Sequence, residues 1–245
     1  GEIEKIGPAL EGETDLEVGD RIATLVSLSL TPLRIDEILE IRKETDQVDI
    51  KGKAVLFESG IYAKLPTDMP QNLALAVLDV AGAPAQTAKL VEPGDSVLVI
   101  GGGGKSGILC LHEAKKRVGV SGQVIALEYS EEGCKRVEDL GLADDVIQAD
   151  ATKPVEVMEK VRDATEGEMV DLTINCVNIP KTEMSCILAT KDDGQVYFFS
   201  MATSFTAAAL GAEGVGKDTT MLIGNGYTKD HAAISLQVLR ENKEI

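Results

Sequence analysis

The sequence predicts an α/β fold, a doubly wound parallel sheet preceded by a smaller β-rich region. Three observations carry this. From Ser96 onward six short apolar runs alternate with amphipathic segments, the pattern of repeated β-α units that build a parallel sheet. The first of these runs ends in four consecutive glycines that lead straight into an amphipathic segment. Before residue 75, by contrast, turn residues recur too closely for helices of ordinary length.

In chain order, Gly7-Pro8, Gly12, Gly19-Asp20, Gly52 and Gly60 punctuate the N-terminal region, between β-prone runs such as residues 21–26 and 54–57. Residues 72–91 read as helix with a break near Pro84, because a prolyl ring clashes with the preceding helical turn. The six apolar runs are Ser96–Ile100, 124–127, Asp145–Gln148, 170–177, 196–200 and 221–223, and residues 232–242 read as a closing helix. Val/Ile/Leu-rich stretches such as SVLVIG and VDLTINCV suit strands covered by helices on both faces.

The totals remove several function classes. Lys and Arg number 24 against 41 Asp and Glu, a formal charge of -17, so most of the surface repels a phosphate backbone and nucleic-acid binding is set aside. Cys110, Cys134, Cys176 and Cys186 form no C-x-x-C pair and read as reduced, mostly core residues rather than a metal site or a redox dithiol. No apolar stretch reaches roughly 18 residues and no signal-peptide pattern is present, so a cytoplasmic protein is expected. The chain opens at Gly1 in the strand-like GEIEKIG, and a further segment upstream is expected.

The motif that carries chemistry lies in SVLVIGGGGKSGILCLHEAKKRVG, where Gly102, Gly104 and Gly107 make G-x-G-x-x-G between an apolar strand and an amphipathic helix. This is the context of a Rossmann dinucleotide site: the first glycine permits the tight turn, the second admits the pyrophosphate, and the third lets helix and sheet approach. The helix N-terminus then offers free N–H groups and the positive end of its dipole. Glu128 closes the second strand about twenty residues beyond the last glycine, where a carboxylate accepts both ribose hydroxyls. It would repel a 2′-phosphate, and Tyr129-Ser130-Glu131-Glu132 supplies no cation, so NAD is expected rather than NADP.

Two competing readings fail. A glycine turn that merely joins strand to helix does not account for Glu128 standing in register with it. A phosphate-binding G-x-x-x-x-G-K-[ST] loop ending at Gly104-Lys105-Ser106 needs a glycine where the chain has Val99. In open α/β sheets ligands bind outside the carboxyl ends of the strands, which adds Cys176, Val177, Ser200 and Met201 and, less strongly, Asp150, Ala151 and the 224–226 turn. The expected cofactor-binding set is Gly102, Gly103, Gly104, Lys105, Ser106, Gly107, Glu128, Tyr129, Cys176, Val177, Ser200 and Met201.

Among dehydrogenase classes, a short-chain enzyme needs Tyr-x-x-x-Lys, and none of Tyr62, Tyr129, Tyr197 or Tyr227 has a lysine four residues on. Residues 1–75 hold no Cys or His, so any zinc site would lie upstream. GEIEKIG, LEVGDRIATL with Asp20 and Arg21, and LPTDMP nevertheless resemble the medium-chain dehydrogenase/reductase superfamily. The resemblance covers nearly the whole chain and implies part of a GroES-like catalytic domain over residues 1–75, a Rossmann domain over 76–245, and a cofactor in the cleft between them.

More narrowly, ATLVSLSLTPLRIDEI, FESGIYAKLPTDMP and IGGGGKSG resemble the diaminohexanoate dehydrogenase family of anaerobic lysine fermentation. That resemblance implies NAD-dependent oxidative deamination of a 3,5-diamino acid, with loss of the 3-amino group as ammonia. The acidic surface would concentrate a diamine. No catalytic base is assigned: Glu58, Tyr62 and His231 are the polar groups to inspect, and His112 reads as structural. Two alternatives stay open, a zinc-independent quinone or enoyl reductase, which should prefer NADPH, and a non-catalytic NAD-binding regulatory module. Homodimers are common in the superfamily, although no residue here requires one.

Overall fold

The computed structural model describes residues 1–25, 31–45, 47–224 and 226–245. The end of the 21–26 run and residue 225 therefore lie outside the described residues. The chain forms two compact units, Gly1–Asp79 and Val80–Ile245.

The first unit contains β1 (Ile22–Thr24), β2 (Leu33–Arg42), β3 (Gln47–Ala54), β4 (Tyr62–Lys64) and helix α1 (Gln71–Leu78). β1 pairs antiparallel with β4 in the register Ala23↔Ala63. β2 and β3 make a separate antiparallel ribbon, crossed by an Arg42–Asp49 ion pair at 2.6 Å. Leu33, Ile35, Ile38, Leu39, Ile41 and Val48 of this ribbon face water. Of the expected 54–57 strand only Ala54 belongs to β3, and beyond it the Gly60 N–H bonds to the Phe57 carbonyl at 2.8 Å and closes a turn. Sequence reasoning missed the ribbon for a physical reason: register shifts between Ile35 and Glu37 and between Ile38 and Glu40 break the two-residue alternation.

The second unit opens with α2 (Gly82–Leu90). The helix expected over 72–91 is thus two helices, with the expected break near Pro84 lying at residues 79–81. Pro84 sits in the first turn of α2, where a missing N–H costs no helical hydrogen bond.

From there the chain alternates as β5 (Ser96–Ile100), α3 (Lys105–Val118), β6 (Gln123–Glu128), α4 (Glu131–Leu140), β7 (Asp145–Gln148), α5 (Pro154–Ala164), β8 (Val170–Asn175), α6 (Glu183–Ala189), β9 (Thr190–Phe198), α7 (Phe205–Val215), β10 (Thr220–Ile223) and α8 (His231–Glu241). The six strands are parallel in the order β10-β9-β8-β5-β6-β7, so β5 sits where the winding reverses, the position at which such sheets bind ligands. Every predicted run contributes to its strand, although β9 begins six residues earlier than expected, at Thr190 in place of residue 196.

Successive side chains of a strand point to opposite faces, and both faces are covered. Val97 and Val99 join a core with Leu111, Ala114, Val137 and Ile174, while Leu98 and Ile100 join another with Leu127, Val157, Val161 and Phe198. Free Cys110 and Cys186 belong to these cores. Polar bonds tie α8 down: Ser235 Oγ donates to the Ala81 carbonyl at 3.0 Å, and Glu241 meets His112 Nε2 at 3.0 Å and Lys116 Nζ at 2.8 Å.

Burial pushes the Glu241 carboxyl up, but hydrogen bonds from Lys116, His112 and Gln237 outweigh it and hold the group at about 2, against an ordinary 4.5. A depressed carboxylate stabilises the fold above its unfolded value, and that contribution fades as pH falls through the folded one. Glu241→Gln is therefore expected to flatten the drop in melting temperature that the parent shows from pH 4.5 down to about 2. Superimposable acid profiles for parent and variant would count against this role.

Candidate dinucleotide-binding site

The site grows out of β5, whose last four residues are fully buried. Gly101 follows with φ +83, a conformation that L side chains rarely adopt. The tight-turn role thus falls on Gly101, one residue before the first glycine of the motif. Gly102 has a different constraint, because a β-carbon there would lie 2.9 Å from the Ala126 Cβ. At Gly103 it would lie 2.7 Å from the Gly133 Cα, and at Gly107 only 2.0 Å from the Gly101 oxygen.

Gly104 differs from all of these. Its φ is -81, and a β-carbon would meet nothing nearer than the Gly101 oxygen at 3.5 Å. The fold itself leaves room there. Gly104 is also the N-cap of α3 and contributes no capping side chain, and the first turn of α3, from Lys105 to Gly107, carries the positive end of the helix dipole.

Glu128 reaches back to this turn from the end of β6. Its Oε2 accepts from the Gly103 N–H at 3.0 Å, and its Oε1 accepts from the backbone N–H groups of Tyr129 at 2.8 Å and Ser130 at 3.2 Å. Gly133 permits this, since a β-carbon there would lie 2.5 Å from Glu128 Cγ. The Ser130 hydroxyl adds a fourth, longer bond to Oε1 at 3.4 Å, so of the two lone-pair positions on each carboxylate oxygen the one left open is on Oε2, which accepts only from Gly103. Arg136, which sequence reasoning missed, donates to the Gly103 carbonyl at 2.7 Å and to Glu132 at 3.0 Å. Gly103 is thereby held in both of its flanking peptide groups, its N–H by a carboxylate and its carbonyl by a guanidinium. The signal for Arg136 was its place on α4, beyond the four residues inspected after Glu128.

The other expected residues stand at strand ends as the topology requires. Val177 packs on the turn, its Cγ2 2.7 Å from where a Gly101 β-carbon would be, and its N–H is fixed by Asn175 Oδ1 at 3.1 Å. Cys176 bonds through its N–H to the Ile100 carbonyl, while its thiol lies 3.8 Å from that of Cys110. Contact with Cys110 and burial raise that thiol's pKa well above the ordinary value, so it stays protonated. Ser200 caps the Ala202 N–H at 3.1 Å, whereas Met201 is 87% exposed and Tyr129 72%. Three residues past Ser200 the Thr203 hydroxyl is buried without a hydrogen-bond partner.

The residues inspected as bases are occupied within their own units. The Tyr62 hydroxyl donates to Asp15, which raises its pKa; Glu58 is exposed on a loop. His231 is buried edge-on to Tyr227, with ring centroids 5.2 Å apart, and burial lowers its pKa.

Comparison with known proteins bears on this geometry. Residues 1–66 match the family described as L-erythro-3,5-diaminohexanoate dehydrogenase N-terminal domain, and residues 106–222 match the one described as zinc-binding dehydrogenase. A protein named L-erythro-3,5-diaminohexanoate dehydrogenase from Acetoanaerobium sticklandii is 65% identical over 99% of this chain and 71% of its own length. The chain belongs to the L-erythro-3,5-diaminohexanoate dehydrogenase family. A second such relative, from Fusobacterium nucleatum subsp. nucleatum, is 62% identical over 99% of this chain and 70% of its own. The fold is also that of a mycobacterial protein solved with NADPH, with TM-score 0.69 and 18% identity over 100% of this chain and 70% of that one.

The zinc of the second description finds no donor set among the described residues. Among the described residues no group of three or more His, Cys, Asp or Glu could hold a metal ion, and the four cysteines and two histidines all lie after residue 79.

The glycines make the turn testable residue by residue. Gly107→Ala should lower the unfolding free energy by about 2 kcal/mol or more, because backbone cannot yield as a flexible side chain would. Gly104→Ala should stay within about 1 kcal/mol of the parent, the scale of an N-cap change. Denaturant midpoints measure both, and equal losses would refute the assignment of room at Gly104.

Proposed function

We propose that this protein is an NAD-dependent dehydrogenase that converts L-erythro-3,5-diaminohexanoate to 5-amino-3-oxohexanoate. The observation that carries this reading is 65% identity over 99% of the chain to a relative named for that substrate. In the reaction the C3 ammonium, NAD and water become a C3 ketone, NADH, ammonium ion and a proton.

In this reading the first unit is part of a GroES-like catalytic domain and the second binds the cofactor. The open room at Gly104 receives the pyrophosphate, which the start of α3 at Lys105, Ser106 and Gly107 then meets. The remaining acceptor capacity of Glu128 binds the ribose hydroxyls, with Gly102, Gly103 and Tyr129 around it. Val177 and Ser200, backed by Cys176 and Met201, border the nicotinamide side. Bound NAD supplies the hydride acceptor for C3. What the chain itself does is hold that ring still and exclude water from its buried side. The same reading includes a cytoplasmic setting and lysine degradation, and it allows a homodimer. Among the described residues no helix is long and apolar enough to cross a membrane.

Glu128 also decides between the two nicotinamide cofactors. Glu128→Ala should weaken NAD binding by about 1–3 kcal/mol, the scale of a lost charge-assisted hydrogen bond, and should narrow the preference over NADP. The Arg136 guanidinium is then the cation a 2′-phosphate would find, so adding Arg136→Ala should remove the gained NADP affinity. Unchanged NAD affinity in Glu128→Ala would sink the ribose assignment.

Turnover tests the reaction. NADH formation by the protein is measured with NAD and the diamino acid, beside simple amino acids and alcohols. Turnover confined to the diamino acid supports the proposal. Binding of NAD with no turnover on that substrate would leave a dinucleotide-binding module and discard the substrate.

A further inference from the structure

Asn175 at the end of β8 is level with Ile100 on β5 and with Phe198 on β9, so the segment 199–204 leaves the sheet at the height of the glycine turn. β9 stands two strands from β5, about 10 Å away, on the side opposite Glu128. The segment is pinned at both ends. The N–H groups of Phe199 and Ser200 donate to the Asn175 carbonyl, each at 3.1 Å, and the Ser204 N–H donates to Oε1 of buried Glu183 at 2.7 Å. Between these anchors the segment bonds to itself, the Ala202 N–H to Ser200 Oγ at 3.1 Å and the Thr203 N–H to the Ser200 carbonyl at 3.5 Å.

The Thr203 hydroxyl takes no part in this. Among the described residues only two buried side-chain polar atoms have no hydrogen-bond partner, Thr203 Oγ1 and Thr219 Oγ1. A buried hydroxyl without a partner is destabilising, and folded proteins keep very few of them. The two differ in place. Thr219 immediately precedes β10, at the amino end of the sheet, whereas Thr203 follows β9 at the carboxyl end, where open α/β sheets bind their ligands.

Resting on the reading of this protein as an NAD enzyme, we infer that the Thr203 hydroxyl holds the carboxamide of the nicotinamide ring. With Glu128 on β6 taking the adenosine ribose, the other half of the dinucleotide crosses β5 to the β8–β9 side, where this segment begins. A carboxamide offers an acceptor and two donors, and a hydroxyl can meet either kind. Thr203 Oγ1 is closed to solvent, so the middle of the segment yields as the ring enters, while Asn175 and Glu183 keep its ends in place. The contact then fixes the ring's orientation ahead of hydride transfer.

Calorimetric titration of NAD and of ADP-ribose, which lacks the nicotinamide, separates this contact from the rest of the site. Thr203→Val keeps the shape of the side chain and removes the hydroxyl. Its NAD affinity should fall about tenfold, its ADP-ribose affinity should match the parent's, and Thr203→Ser should restore NAD binding. Without dinucleotide, Thr203→Val and Thr219→Val should each melt about 2–4 °C above the parent, having lost an unpartnered hydroxyl. Thr219→Val should bind NAD as the parent does. Unchanged NAD affinity in Thr203→Val, or equal losses for NAD and ADP-ribose, would overturn the inference. So would a Thr203→Val protein that melts below the parent, because the hydroxyl would then already have a partner. A parent that binds neither compound would overturn the NAD reading itself, and the inference with it.

Discussion

The carboxyl end of the sheet is organised by the approach of one helix to one carbonyl. The Gly101 oxygen occupies the space in which a side chain at residue 107 would begin, 2.0 Å from the position of its first carbon. Because Gly107 has none, α3 starts directly above β5, and its first N–H groups open into the crevice where the winding of the sheet reverses. Gly102 and Gly103 extend the same condition sideways, letting β6 and α4 close in. Only then can Glu128 reach the Gly103 N–H. Remove the first approach and the acid, the turn and the helix dipole no longer share a centre.

Much of this was legible in the sequence because burial writes a simple pattern. Strands covered on both faces must be apolar throughout, so SVLVI and VDLTIN stand out whatever surrounds them. The fingerprint glycines stood out likewise, since Gly102 and Gly107 leave no space for a side chain. What could not be read depended on local geometry: the β2–β3 ribbon, whose bulges erase the alternation, and the positive φ at Gly101. Arg136 escaped because its partner is a backbone carbonyl, which leaves no mark in composition.

Charge is placed differently in two regions of the second unit. Around the glycine turn side chains meet backbone, Glu128 on the Gly103 N–H and Arg136 on the Gly103 carbonyl. Along α3 side chains meet each other, Arg117 with Glu113 and Lys116 with Glu241. The Cys176 thiol is kept protonated by its contact with Cys110 and by burial.

The ribbon of β2 and β3 has a colloidal consequence. Among the described residues β2 and β3 pair only with each other, and such a ribbon, with six large apolar side chains in water, can recruit another strand by backbone pairing. At neutral pH the charge of -17 keeps neighbouring molecules apart. Near the isoelectric point, about 4.5, that repulsion vanishes while the edges remain. Precipitation in mild acid would then set in at the ribbon, well before the Rossmann core has unfolded.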